Sequence, residues 1–276
     1  MGHGHAAASG GSGDIILALP FLAALTLYGV GVAIQRHRAC PWPWWRSLLW
    51  TAGVAAAASG FTGPFAHGAH EDFPVHMALH VVVGMAAPVM LVLASPMTLA
   101  LRTLHVSRAR RLSRLLTSAP ARLLSRPVVA GVLSVGTLWL FYLTPLYAVA
   151  REVPLVHLAV MLHFLLAGCL FTAAIIPTDP APHRAGYRHR LTVLVIAMAL
   201  HSVLAKVMAA SPPAGVAADV AEAGAILMYY AGDAVDVTIL TILCARWYRH
   251  AGRRLSAPLG PGTSPTPRAW ARAAGQ

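Results

Sequence analysis

The chain has 276 residues, is 57% hydrophobic and only 11% charged, and carries a formal net charge of +12. A soluble domain needs a larger charged fraction to cover its surface, so this composition excludes a water-soluble globule. The arginines gather between apolar blocks, so the positive balance reads as membrane topology and contact with anionic lipid. It does not read as a nucleic-acid footprint.

The apolar blocks reach the roughly 20 residues a helix needs to cross a ~30 Å hydrocarbon layer. In chain order, seven spans are expected: Ile15–Ile34, Ser47–Phe65, Pro74–Leu101, Val128–Ala148, Pro154–Ile176, Leu191–Ala210 and Ala223–Ala245. The period-two alternation of membrane strands is absent, which leaves an all-α polytopic membrane helix bundle. Residues 1–14 form a flexible extracytoplasmic segment, 15–248 one membrane domain, and 249–276, rich in Pro, Gly and Ser, a disordered cytoplasmic tail. No basic segment precedes Ile15–Ile34, which therefore reads as a true span and not a cleaved signal.

Orientation follows from arginine. All of the 21 Lys and Arg except Arg151 and Lys206 fall on alternate connections and the segment after the last span. The loop 102–127 alone holds Arg102, Arg108, Arg110, Arg111, Arg114, Arg122 and Arg126. Those sides are assigned to the cytoplasm, which puts the N-terminus outside and the C-terminus inside. Within that loop Leu and Arg segregate enough for an interfacial basic helix.

With orientation set, the ionisable groups inside the spans form a pattern. His67 and His70 lie on an outer loop, and His76 and His80 share one face of the third span, a turn apart. The fifth span carries His157 and His163, which lie on different faces. The sixth carries His201 and Lys206, and the seventh Asp233 and Asp236. Such groups cost ~2.5–3.5 kcal/mol each on insertion and mark function by default. A His-rich cavity opening outward accommodates them. His37, His105, His183, His189 and His250 fall on the arginine side and read as surface groups.

Two imidazoles one turn apart can converge on one ion. Cys40, Cys169 and Cys244 lie toward the cytoplasmic half without a CxxC, so a metal on the outer side would use imidazole, with Met or carboxylate in support. That donor set suits copper or zinc, and imidazole also serves as an axial haem ligand. Met77, Lys206, Asp233 and Asp236 are the candidate supporting groups. Lys206 can also snorkel outward, and the two aspartates can pair with Lys206 or His201. The N-terminal MGHGH can capture a metal only if its terminus is free. Pro88 and Pro96 are expected to kink the third span.

The "HMALH" opening of the third span with "APVMLVLASP", the "HLAVMLHFLLAGCLF" span ending in "DP", and the later His-bearing span resemble the CtaG-type cytochrome c oxidase assembly proteins. The likeness runs from about Ile15 to Tyr248. It implies a multi-span protein that helps provide copper to the subunit holding the haem–copper centre. The implied partners are oxidase subunits, membrane lipid and an extracytoplasmic copper donor. The site carries over to His76, His80, His157, His163 and His201. The seventh span departs from the pattern in "MYYAGDAVDV", which holds Asp233 and Asp236. No nucleophile–base constellation, phosphate loop or protease motif is present, so catalysis is not expected. Three other readings fit the same residues: a haem-binding electron-transfer bundle, a proton-coupled transporter using His201, Lys206, Asp233 and Asp236, and a structural oxidase-assembly scaffold that binds no metal.

In a background lacking the native cysteines, a single cysteine at Ser107 should be shielded from an impermeant thiol reagent in intact cells. One at His67, on the outer loop, should react. The reverse pattern would invert the orientation.

Overall fold

The computed structural model describes residues 6–179 and 185–255. MGHGH, His183 and residues 256–276 of the expected tail lie outside the described residues. Among the described residues the chain is helical, with no strand. Five helices among the described residues are long and apolar enough to cross a membrane: Gly13–His37, Phe73–Thr103, Pro154–Ile175, Tyr187–Ala210 and Ala218–Arg249. A sixth candidate is a broken pair, Pro127–Leu143 and Leu146–Glu152, bent by 80°.

The first span lies in α1 (Ala6–His37), which runs to α2 (Trp44–Ala58). The expected second span, Ser47–Phe65, is not one helix. α2 has 15 residues, about 22 Å at 1.5 Å per residue, short of the hydrocarbon thickness. The chain turns after Ser59, passes Gly63 at φ 82°, and starts α3 (Pro64–Glu71) on a proline that suits a first helical turn.

The third span is the centre of the bundle, 56% buried against 11% for the first. It is built from α4 (Phe73–Val81), a π-helical turn Val82–Ala86, α5 (Ala87–Leu93) and α6 (Pro96–Thr103). Pro88 has no N–H to give the carbonyl of Gly84 four residues earlier, and its ring pushes that carbonyl away. The wide turn is the local consequence. The freed Gly84 carbonyl lies where a Cβ on Gly168 would stand, and the same Cβ would come 2.8 Å from Cγ of Pro88. Only glycine allows this approach. Ser95, left-handed at φ 54°, breaks the span a second time before Pro96.

Loop 102–127 holds α7 (Val106–Leu116) and α8 (Ala119–Leu124), neither with a buried residue. The fourth span is α9 (Pro127–Gly131), a second π-helical turn Val132–Gly136, and α10 (Thr137–Leu143). It breaks at Thr144–Pro145 into α11 (Leu146–Glu152). α12 (Pro154–Ile175), α13 (Tyr187–Ala210) and α14 (Ala218–Leu255) complete the bundle. α4 packs on α14, while the lower third span packs on α2 and α12. The carboxylate of Asp179, in the "DP" motif, accepts bonds from the Thr98 N–H (2.8 Å) and hydroxyl (2.6 Å), tying the end of α12 to the start of α6. Apolar packing divides into one cluster around Phe73, Met77, Phe141, Phe164 and Met228, and another around Val89, Val135, Phe171, Leu194 and Ile239.

Gly168→Ala should destabilise the protein by about 1–3 kcal/mol or more through overpacking. Gly29→Ala, with nothing within 4 Å of the added Cβ, should be neutral. Thermal melting in detergent reads both, and equal melting temperatures would show that the Gly84–Gly168 contact yields freely.

Candidate metal-handling site

The two apolar clusters leave a cavity of about 30 Å³ between them. His80 and His201 line it, together with Met85, Ser134, Thr172 and Asp236. His80 is 3% exposed and His201 1%. Their ring centroids stand 6.3 Å apart with planes 27° from parallel. Neither ring nitrogen of either residue has a hydrogen-bond partner among the described residues. Buried polar atoms are nearly always satisfied, so four unpartnered imidazole nitrogens around one cavity demand an explanation.

The local sequence explains the placement. Gly232 on α14 leaves the space that the His201 ring fills, since a Cβ there would collide with it. Gly84 gives room to His80, its hypothetical Cβ lying 3.3 Å from the His80 ring. Met85 lies within the π turn, five residues after His80, and lines the same cavity. An α-helical count sets Met85 well off the face of His80, so sequence spacing alone does not place it at this cavity.

A second pair lies one turn up α4. His76, 6% exposed, has its ring centroid 6.3 Å from that of His157. Its Nε2 shares a hydrogen bond with the Tyr142 hydroxyl at 3.2 Å. Tyr147, just past the break in the fourth span, packs edge-on against His76 at 5.4 Å. The sequence offered no spacing signal for the two tyrosines, which come from either side of that break. Tyr142 also faces His80, at 6.3 Å between ring centroids, and so stands between the two histidine pairs.

The remaining candidates lie elsewhere. His163 does not join either pair: its Nε2 bonds to the Leu133 carbonyl (3.0 Å) and the Thr137 hydroxyl (3.1 Å) at the second π turn. Met77 is fully buried in the apolar cluster against α14, away from the cavity. Lys206 is exposed, with Nζ 5.4 Å over the Tyr229 ring. Asp233 accepts a bond from the Ser202 hydroxyl at 3.0 Å, while Asp236, three residues on, is 4% exposed and faces the cavity. Among the described residues no group of three or more His, Cys, Asp or Glu is gathered closely enough to hold a metal, so the five expected histidines do not form one centre.

Residues 26–250 match the family described as cytochrome c oxidase caa3 assembly factor (Caa3_CtaG). The chain belongs to that family. It is also similar to uncharacterized proteins of Mycobacterium bovis (38% identical) and Mycobacterium leprae (35%), in each case over 183 residues. The matched region is 63% of this chain but 28% of each relative, so the likeness spans less than a third of those proteins. No solved structure matches the chain. Membership of that family, relatives in mycobacteria and five described helices long and apolar enough to cross a membrane together support a bacterial membrane protein.

His163→Ala should remove one of two bonds to the Leu133 carbonyl, which keeps the Thr137 hydroxyl as donor at 2.8 Å, and cost about 0.5–1.5 kcal/mol of stability. An unchanged thermal melt would show that this bond contributes nothing net at the π turn.

Proposed function

We propose that this assembly factor carries copper as cargo in an outward-accessible histidine site and assists its delivery to a haem–copper oxidase. The observation that carries the proposal is the buried His80–His201 pair, with all four ring nitrogens unpartnered in a cavity that Met85 and Asp236 share. Two imidazoles and a thioether are donors that copper, cuprous copper above all, accepts readily. The carboxylate of Asp236 would offset a cation's charge where hydrocarbon cannot.

His76 and His157 lie one turn nearer the expected outer face and are the natural approach to the cavity. An extracytoplasmic copper donor on that side and oxidase subunits within the bilayer are the partners in this reading. It places the protein in the bacterial plasma membrane with seven crossings, α2 being a short one beside α1 and α5. The N-terminus is outside and the C-terminus cytoplasmic, as the arginine distribution supports. Zinc would accept the imidazoles but gains little from a thioether. A cavity of about 30 Å³ has room for an ion or a water and not for a porphyrin, which weighs against haem between His80 and His201. A continuous relay through His201, Lys206, Asp233 and Asp236 is disfavoured by the outward position of Lys206 over Tyr229.

Titration of the purified protein with copper under reducing conditions tests the site. His80→Ala and His201→Ala should each weaken binding at least ~10-fold, Met85→Leu less, and His105→Ala not at all. Loss of the protein in cells should lower haem–copper oxidase activity, with partial recovery on added copper, while the oxidase polypeptides persist. Equal copper binding by all variants would remove this site from the reading, and a Soret band in the purified protein would favour a haem carrier.

A further inference from the structure

The arginine-rich face has a charge imbalance that no part of this sequence can correct. The chain holds nine acidic residues, and only Asp179 falls on that side. Its carboxylate is taken up by the Thr98 N–H and hydroxyl at the start of α6. The others stand elsewhere: Asp14 beside Gly63, Glu71 and Asp72 before α4, Glu152 ending α11, and Asp219, Glu222, Asp233 and Asp236 along α14. The residues outside the described part contain no Asp or Glu either.

Part of that charge lines a groove of about 560 Å³ where the end of α1 meets the corner between α6 and α7. Arg38, Arg102, Arg110 and His105 contribute to its wall, with Leu101, Leu104 and Val106 supplying apolar surface. Arg38 donates from Nη1 to the Arg102 carbonyl at 2.7 Å, which joins α1 to the corner. The Arg102 guanidinium lies 5.9 Å over the Trp42 ring, and Arg46 lies 4.9 Å over the same ring. None of the three groove arginines makes an ion pair among the described residues. α7 has no buried residue, and Val106 and Leu115 are exposed on it. α7 is amphipathic, with Arg108, Arg111 and Arg114 on one side and Ala109, Leu112 and Leu116 on the other, as suits a helix in a headgroup layer.

We propose that this groove is a binding site for an anionic phospholipid, its phosphate held by Arg38, Arg102 and Arg110 and its acyl chains laid along Leu101, Leu104 and Val106. Guanidinium groups match phosphate oxygens in a planar, paired geometry. The groove joins that chemistry to apolar surface at the end of two spans, where a lipid presents both parts together. A soluble anion would leave the apolar wall wet, and a nucleic acid would have no use for it. Arg102 ends the third span, which also carries His80, so the bound lipid would brace the helix on which the cavity depends.

Native mass spectrometry of the delipidated full chain, re-exposed to detergent micelles containing either phosphatidylglycerol or phosphatidylcholine, tests the site. Wild type should retain phosphatidylglycerol in preference to phosphatidylcholine. Arg110→Gln should reduce that retention about fivefold, and Arg102→Gln/Arg110→Gln further. Arg122→Gln, on α8 outside the groove, should leave it unchanged. Size-exclusion profiles and thermal melts identify any variant that fails to fold. Arg110, exposed and in no side-chain hydrogen bond or ion pair among the described residues, is the variant on which the outcome rests. Equal retention by wild type and Arg110→Gln, no preference for phosphatidylglycerol, or displacement of the lipid by millimolar inorganic phosphate would each overturn the proposal.

Discussion

The contact between the Gly84 carbonyl and Gly168 governs the rest of the molecule. It exists because Pro88 cannot complete the helical bond to that carbonyl and because Gly168 has no side chain to resist it. Helices in a membrane gain little from hydrophobic association, so close backbone approach is a main source of their cohesion. Here the approach fixes α12 against the third span and widens one turn of that span. His80 lies just before the wide turn, Met85 within it and Pro88 just after, while Phe164 and Thr172 lie one turn to either side of Gly168. A proline and two glycines thereby set both the packing and the cavity.

The broad architecture was legible in the apolar runs. The first, third, fifth, sixth and seventh expected spans correspond to helices of sufficient length and hydropathy. The second was not, because an alanine-rich run followed by Phe61 and Phe65 looks continuous by composition. Gly60 and Gly63 interrupt it, and a Cβ at Gly60 would collide with Val83 of the packed third span. That collision is a tertiary fact, invisible to any window of local sequence. The break in the fourth span had a local signal in Pro145, but its 80° bend depends on α11 packing Tyr147 and Ala150 inside the bundle.

The candidate site was legible as residue types and depth, not as partnership. The spacing of His76 and His80 correctly puts both on the inner face of one helix, and both are buried. A period of 3.6 residues cannot say which other helix each one meets. His76 meets His157, whereas His80 meets His201, so one inferred centre becomes two pairs. His163 had the composition of a ligand, yet it serves a carbonyl at a π turn that no propensity scale anticipates. Met85 lines the cavity from within a π turn, and Tyr142 reaches His76 from another span, relations that no local spacing carries.

The central claim is that His80, His201 and Met85 together receive copper. X-ray absorption at the copper edge of the Cu(I)-loaded protein tests it directly, because sulfur and imidazole nitrogen scatter differently. The expected spectrum contains imidazole scattering from His80 and His201 together with one sulfur, and the sulfur contribution disappears in Met85→Leu. A spectrum without imidazole scattering, or one left unchanged by both His80→Ala and His201→Ala, would contradict the account.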